Sequence, residues 1–376
     1  MGKVDHDMVK EEIRQRESLR GTVDASSPAF VQFASLAADE ALHDARWNPD
    51  DGLDTGVCIG AGMSSTLDLS NAGMLLQNDR IRRVSPFFVP RILVNAAAGA
   101  VSMAYGLHGP NVAPSTACAT GAHAIGDAYR VIQRGDANAM LAGGTESCVD
   151  AIALAGFSRM KALSTKYNEA PSLASRPFDA DRDGFVLSEG ACVLLLESVE
   201  HARQRGAPKV YCEILGYGMS GDAYHVTKPR EDGHGASLAM SRALASSGLD
   251  PHQVIYLNAH ATSTPRGDIT ELKAIENVFA RSQGTLYVSS SKGALGHMLG
   301  AAGSVEAAIT ALACHHAIAP PNINLDNPPS VIADGIHLIR KEAQSLEQST
   351  KPVAVMSNSF GFGGTNTSLV FGQASI

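Results

Sequence analysis

Two kinds of apolar run take turns along this chain. Short continuous runs at Gly56 to Ala61, Asn138 to Gly143, Ala191 to Glu197, Val210 to Gly216, Val254 to Ala259, Leu286 to Ser290, Val353 to Asn358 and Thr367 to Phe371 read as buried strands. Between them lie stretches of helical spacing. Phe30, Ala34, Ala37, Ala41 and Ala45 share one face behind Ser27, read as an N-cap, and Pro28, read as the first helical position. Further helices are predicted at Asn95 to Leu107, Ala236 to Ser247, Asp268 to Ala280 and Gly300 to His316. This alternation predicts an α/β architecture with strands covered on both faces. The first twenty residues are rich in Lys, Arg and Glu, and no apolar strand precedes the first convincing helix. From Thr145 to Asp183 the pattern loosens into a polar, loop-rich passage, a length of connection that usually carries function or an interface.

One join stands out. The strand predicted at Val112 to Ser115 runs into a segment with Ala122, Ile125, Ala128, Tyr129 and Ile132 at helical spacing, and Cys118 sits between them. A thiol at a helix N-terminus meets free backbone N–H groups and the positive end of the dipole, which favour the thiolate. The same position also suits a cysteine that merely fills a tight core. A related turn recurs at Leu299-Gly-Ala-Ala-Gly-Ser-Val-Glu-Ala307, which suggests duplication of one α/β unit, with halves 1–208 and 209–376.

Composition narrows the function classes. With 44% hydrophobic and 18% charged residues the chain reads as folded, and 36 glycines with a single tryptophan suggest closely approaching backbones. A formal charge of -8 argues against a general nucleic-acid or anionic-membrane surface. Six scattered cysteines without a Cys-x-x-Cys pair suggest neither zinc nor a disulfide framework, and point to a reducing compartment. No metal site is expected. No apolar run reaches the roughly 18 residues of a membrane helix, and no targeting segment is expected.

Several groups could act with Cys118. His260 follows a strand in Asn258-Ala-His-Ala-Thr-Ser-Thr-Pro-Arg-Gly-Asp268, and His297 lies in a glycine-rich approach to a helix. Either could equally be a structural hydrogen-bonder. Lys292 beside buried histidines would favour their neutral forms, although a lysine is usually a solvated charge. In Asn358-Ser-Phe-Gly-Phe-Gly-Gly-Thr-Asn366 a backbone N–H could complete an oxyanion hole and the phenylalanines could gate a tunnel, or the glycines could simply make a turn. Thiol-dependent acyl chemistry is the reading these residues support.

As a set, the motifs are recognisable. Ser85-Pro-Phe-Phe-Val-Pro90, Thr116-Ala-Cys118, Gly143-Gly-Thr-Glu146, Arg182-Asp-Gly-Phe-Val186, Asn258 to Pro265, Lys292 with Gly296-His297, and Asn358 to Asn366 occur in one order. In this the chain resembles the elongating β-ketoacyl-acyl-carrier-protein synthases over nearly its whole length, most of all the mitochondrial type. The Cys-His-His arrangement separates it from thiolases and from the Cys-His-Asn initiating synthases, and the intact Cys118 separates it from chain-length factors.

The resemblance implies a thiolase-like fold, two related halves each with a mixed five-stranded sheet sandwiched by helices, as a homodimer. It implies that Cys118 takes an acyl group from acyl-carrier protein, and that His260 and His297 stabilise the enolate released when malonyl-carrier protein loses CO₂. Lys292 would polarise the histidines, Glu306 would support that network, and the amides of Cys118 and Phe362 would hold the oxyanion. Thr262 and Thr264 match contacts to the phosphopantetheine arm, which arrives on the substrate, so no resident cofactor is expected. Phe157, Leu93 and Phe360 are candidates for the acyl pocket and its gate, and Arg159 and Lys161 for carrier-protein docking. A mitochondrial matrix location is implied, or a bacterial cytoplasm. Family members begin with an apolar strand and a Thr-Gly turn that have no counterpart here, which predicts unpaired backbone inside a core sheet and reduced stability. A catalytically impaired homologue that only dimerises or binds carrier protein is the competing expectation.

Overall fold

The computed structural model describes residues 2–47, 49–280, 282, 284–346 and 354–374. Helices α1 (His6–Gln15) and α2 (Ala29–Ala45) precede strand β1 (Thr55–Ala61), and α3 (Thr66–Gln77), α4 (Phe88–Ile92) and α5 (Ala96–Tyr105) lead to β2 (Asn111–Val112). Then come α6 (Thr120–Gln133), β3 (Ala139–Glu146), α7 (Ala151–Arg159), β4 (Gly190–Glu197), α8 (Val199–Gln204) and β5 (Glu213–Gly221). The remainder runs α9 (His234–Ser247), β6 (Val254–Asn258), α10 (Gly267–Phe279), β7 (Leu286–Ser289), α11 (Lys292–Leu295) and α12 (Ala302–His316). It ends with β8 (Ile318–Ala319), β9 (Ile336–Leu338), β10 (Gln344–Ser345), β11 (Ala354–Gly361) and β12 (Thr365–Gly372).

Two sheets carry the fold, ordered β2-β1-β3-β4 and β5-β12-β11-β6-β7-β9. They repeat one plan. In the first, β1 is parallel to both β2 and β3, and β4 returns antiparallel to β3. In the second, β6 is parallel to both β7 and β11, and β12 returns antiparallel to β11. Helices α6 and α12 occupy equivalent places and pack on each other so closely that a Cβ at Gly121 would lie 2.7 Å from the Ser304 amide. Around them Ile125, Ala128, Met140, Tyr217, Val355 and Phe371 form a continuous buried core. Burial of each such large side chain contributes about 1.5–3 kcal/mol.

The architecture is the thiolase-like one, with differences in detail. The described residues give four strands in one sheet and six in the other rather than five in each, the three-residue β9 being one of the six. The four strands pair without a gap, so no interior position stands vacant for a further strand; the sheet ends at β4. β2 spans two residues instead of Val112 to Ser115, and β5 begins at Glu213 rather than Val210. Ser27 does not cap α2, because its hydroxyl accepts the Asp24 amide in a local turn, and Pro28 takes the cap position. The passage from Thr145 to Asp183 contains α7, started by the Asp150 carboxylate accepting the Ile152 and Ala153 amides. Val353 lies outside the described residues.

Candidate active site

Cys118 sits in a single tight turn, Ala117–Ala119, that feeds α6. Ala117 adopts φ 50°, a left-handed conformation that costs a residue with a side chain about 1–3 kcal/mol and persists only where neighbours enforce it. Thr120 does so, accepting the Thr116 amide at 2.8 Å and donating to the Ala117 carbonyl at 2.7 Å. His123, one turn on, bonds the Thr116 hydroxyl at 2.8 Å. The equivalent turn before α12 repeats the strain, with Leu299 at φ 46°.

The thiol is 8% exposed and 3.0 Å from His297 Nε2. Burial pushes its pKa up to about 12, against the charge of Lys292, which lowers it. Desolvation thus outweighs the thiolate-favouring position expected at a helix start, and Cys118 rests as a thiol. Burial, with Lys292 beside it, holds His297 well below the ordinary histidine value, so its partner is a neutral imidazole.

His297 is clamped through its backbone: its N–H donates to Val186 O at 2.7 Å and its carbonyl accepts from Ser188 N at 3.1 Å. That contact explains the position of the Arg182-Asp-Gly-Phe-Val motif. The Phe185 ring meets the imidazole edge-on at 5.2 Å. His260, 5.4 Å from His297 between ring centres, is also held by its main chain, since His260 N and Ala261 N donate to the buried Glu271 carboxylate at 2.9 and 2.7 Å. Lys292 is 2% exposed, ion-paired with Glu306, and places Nζ 3.4 Å from His260 Nδ1. An ammonium only donates, so Nδ1 of His260 is the acceptor and Nε2 carries the proton. Burial, then Lys292, then His297 lower the His260 pKa well below its ordinary value, which keeps that ring neutral too.

The turn joining β11 to β12 closes the site. A Cβ on Gly361 would lie 2.5 Å from the Thr116 carbonyl and 3.3 Å from the Ala119 amide, so only glycine lets this turn lie against the Cys118 elbow. Phe362 follows it, 37% exposed, and the Phe360 ring stands 5.6 Å from His260. Thr262 and Thr264, with hydroxyls 3.2 Å apart, lie in the loop that follows β6 and His260.

Cys118 shares one hydrophobic cluster with the buried Cys148, Ala153, Phe185, Leu187 and Leu299, against which Met63 and Phe157 pack. Phe157 thus packs against the same cluster as Cys118. Leu93 lies outside that cluster: it follows α4, 47% exposed, among outward-facing apolar side chains, because that short helix lies on the surface. Arg159 and Lys161 are exposed at the end of α7. Sequence reasoning missed Met63, Glu271 and Glu146. The last is fully buried, bonds Gly62 N at 3.1 Å and Gly300 N at 3.0 Å, and has its pKa raised to about 7 by burial. The Gly143-Gly-Thr-Glu motif marked its position but not its task. Among the described residues no group of three or more His, Cys, Asp or Glu is placed to hold a metal ion, and no helix is long and apolar enough to cross a membrane.

Comparison with known proteins agrees with this geometry. Residues 20–202 match the model of the β-ketoacyl synthase N-terminal domain, and residues 211–326 that of its C-terminal domain. The mitochondrial 3-oxoacyl-[acyl-carrier-protein] synthase of Arabidopsis thaliana is 57% identical, over 91% of this chain and 74% of its own length. The 3-oxoacyl-[acyl-carrier-protein] synthase 2 of Rhizobium meliloti is 51% identical, over 91% of this chain and 80% of its own. Among solved structures, a β-ketoacyl synthase from Burkholderia phymatum superposes with a TM-score of 0.85 at 36% identity, covering 93% of this chain and 83% of that one. A ketosynthase solved in complex with its type II polyketide acyl-carrier protein gives 0.84 at 31% identity, covering 93% and 86%. A strained cysteine turn facing two neutral histidines, on a duplicated α/β frame matched along both halves, makes this chain a member of the β-ketoacyl synthase family.

Proposed function

We propose that this chain is a 3-oxoacyl-acyl-carrier-protein synthase that lengthens fatty acyl chains by two carbons through decarboxylative Claisen condensation. The observation that carries the reading is the 3.0 Å approach of Cys118 Sγ to His297 Nε2, backed by the half-buried His260 and the buried Lys292 and Glu306. The acyl group arrives as a thioester on the phosphopantetheine arm of acyl-carrier protein, past Thr262 and Thr264. Cys118 Sγ attacks the thioester carbonyl while His297 takes its proton, the amides of Cys118 and Phe362 hold the oxyanion, and the departing pantetheine thiolate recovers the proton. The acyl chain then lies along Phe157, with Phe360 as the gate.

Malonyl-carrier protein enters next. Its bond to the carboxyl carbon breaks, CO₂ leaves, and the electron pair forms an enolate whose oxygen accepts hydrogen bonds from Nε2–H of His260 and, once its Nε2 has taken a proton from solvent to pass later to the Cys118 thiolate, of His297. The enolate carbon attacks the acyl-Cys118 carbonyl, the C–S bond breaks, and the released thiolate is reprotonated as the 3-oxoacyl thioester departs. Lys292, anchored by Glu306, fixes the donor tautomer of His260 throughout. A hydrolase would need a single histidine and a path for water, which leaves His260 and Lys292 unexplained.

The chain is divided at residue 208 into its two halves. It acts as a homodimer, a reading supported by Met74, Phe87, Val89, Leu93, Met103 and Val112, all exposed and all between α3 and the edge strand β2. On that reading Leu93 lies where the partner subunit and the acyl pocket meet. Acidic carrier proteins dock at Arg159 and Lys161. A mitochondrial matrix location is supported by the mitochondrial relatives from Arabidopsis thaliana and Schizosaccharomyces pombe. Intact-protein mass spectrometry with acyl-carrier proteins of graded length, followed by malonyl-carrier protein, tests the proposal. A mass gain on Cys118 and CO₂ release are expected; an unmodified Cys118 would overturn it.

A further inference from the structure

Each half holds a buried carboxylate against the backbone amides that leave its central parallel strand. After β6, Glu271 accepts His260 N and Ala261 N at 2.9 and 2.7 Å, which places His260. After β1, Glu146 accepts Gly62 N at 3.1 Å, and the same oxygen, Oε2, accepts Gly300 N at 3.0 Å from the turn that leads into α12. Its other oxygen accepts the Cys148 thiol at 3.2 Å, so both oxygens are engaged. Only glycines permit this approach. A Cβ on Gly62 would lie 2.6 Å from Glu146 Oε2, and one on Gly300 would lie 2.3 Å from Gly62 N.

We infer that Glu146 is a positioning residue that fixes Met63 and Leu299 as walls for the acyl chain on Cys118, and so governs how readily long chains are accepted; this rests on the condensation reading above. Met63 follows Gly62 and Leu299 precedes Gly300. Leu299 belongs to the hydrophobic cluster of Cys118, and Met63 packs against it. One carboxylate thus ties together a wall residue from each half of the duplicated frame. Leu299 holds φ 46°, a conformation that persists only where neighbours enforce it, and the bond from the adjoining Gly300 amide to Glu146 is such a restraint. Backbone amides bound to a carboxylate make hydrogen bonds roughly twice as strong as neutral pairs, and without that acceptor both turns are free to shift. A short acyl group ends near the sulfur, whereas a long one runs past these walls. Their displacement therefore falls on long chains first.

The test follows acylation of Cys118 in the full chain by intact-protein mass spectrometry, with butyryl-carrier protein and with the longest saturated acyl-carrier protein that the unaltered chain accepts. Glu146→Asp keeps the charge but is a methylene too short to reach both glycines. It should slow long-chain acylation about tenfold or more beyond any effect on butyryl transfer. Glu146→Gln keeps an acceptor oxygen for both amides and should preserve the ratio of long to short of the unaltered chain. Equal slowing of the two donors in Glu146→Asp would overturn the inference, since residue 146 would then act through general stability. So would an altered ratio in Glu146→Gln, which would make charge rather than reach the property that matters. No acylation of the unaltered chain by either donor would instead overturn the condensation reading itself.

Discussion

His297 presents Nε2 to Cys118 Sγ at 3.0 Å while burial keeps both groups uncharged. The nucleophile is therefore stored as a thiol beside a ready proton acceptor, and the ion pair forms only as the thioester carbonyl is attacked. This spares the site the cost of a resting thiolate in an interior that also holds the carboxylates of Glu146 and Glu306, both of which oppose ionisation of the thiol.

Alkylation of the free protein by iodoacetamide should accordingly depend steeply on pH. Because the thiol pKa is raised to about 12, the reactive thiolate is the minor form throughout the neutral range. Its fraction, and with it the rate at Cys118, should climb about tenfold per pH unit from about pH 7 to about pH 10. A plateau near neutrality would instead reveal a preformed thiolate.

Acyl transfer and decarboxylation should separate by mutation. Cys118→Ala is expected to lose the acyl adduct in mass spectrometry while still releasing CO₂ from malonyl-carrier protein, since the histidines proposed to hold the enolate remain. His260→Ala should show the converse, retaining the adduct and losing decarboxylation by about 10²–10⁴-fold. Equal loss of both activities in either variant would contradict the assigned division of roles.

Removing the counter-ion of Lys292 should destabilise the fold as well as the chemistry. In Glu306→Ala a buried ammonium is left without its partner, a loss of about 3–5 kcal/mol in denaturant unfolding. The double variant Lys292→Met with Glu306→Leu removes both charges and should recover most of that stability without recovering CO₂ release. If the double variant unfolds as readily as the single one, packing rather than charge explains the effect.

The site was more legible in sequence than the layout around it. Cys118, His260 and His297 were found because each stands at a strand-to-helix turn among residues too small to need packing partners. The duplication was visible as an echo between residues 117 and 299, and the matching positive φ at Ala117 and Leu299 shows that the echo records a shared backbone strain. Glu271 stayed hidden because it acts through the main chain of His260, and an acid within a helix gives no pattern of its own. Met63 was missed since a lone methionine after a strand resembles any core residue. The resting state of Cys118 is hidden for a related reason: helix position can be read from spacing, whereas the burial that raises its pKa belongs to the tertiary fold.

The closing turn offers the sharpest test of geometry against chemistry. Gly361→Ala touches no reacting atom, yet its methyl would stand 2.5 Å from the Thr116 carbonyl and 2.9 Å from the Thr365 methyl, so the turn must withdraw from the cysteine elbow. Such overpacking costs about 1–3 kcal/mol of stability. The catalytic consequence is larger, because the withdrawal displaces the Phe362 amide proposed as an oxyanion donor, an effect of about 10²–10³ in kcat. Acylation of Cys118 should therefore slow by that factor while the pH dependence of its alkylation stays unchanged, since the contact of the thiol with His297 does not involve the turn. A shift of the alkylation profile together with the acylation rate would mean that residue 361 sets the state of the thiol rather than the position of the oxyanion.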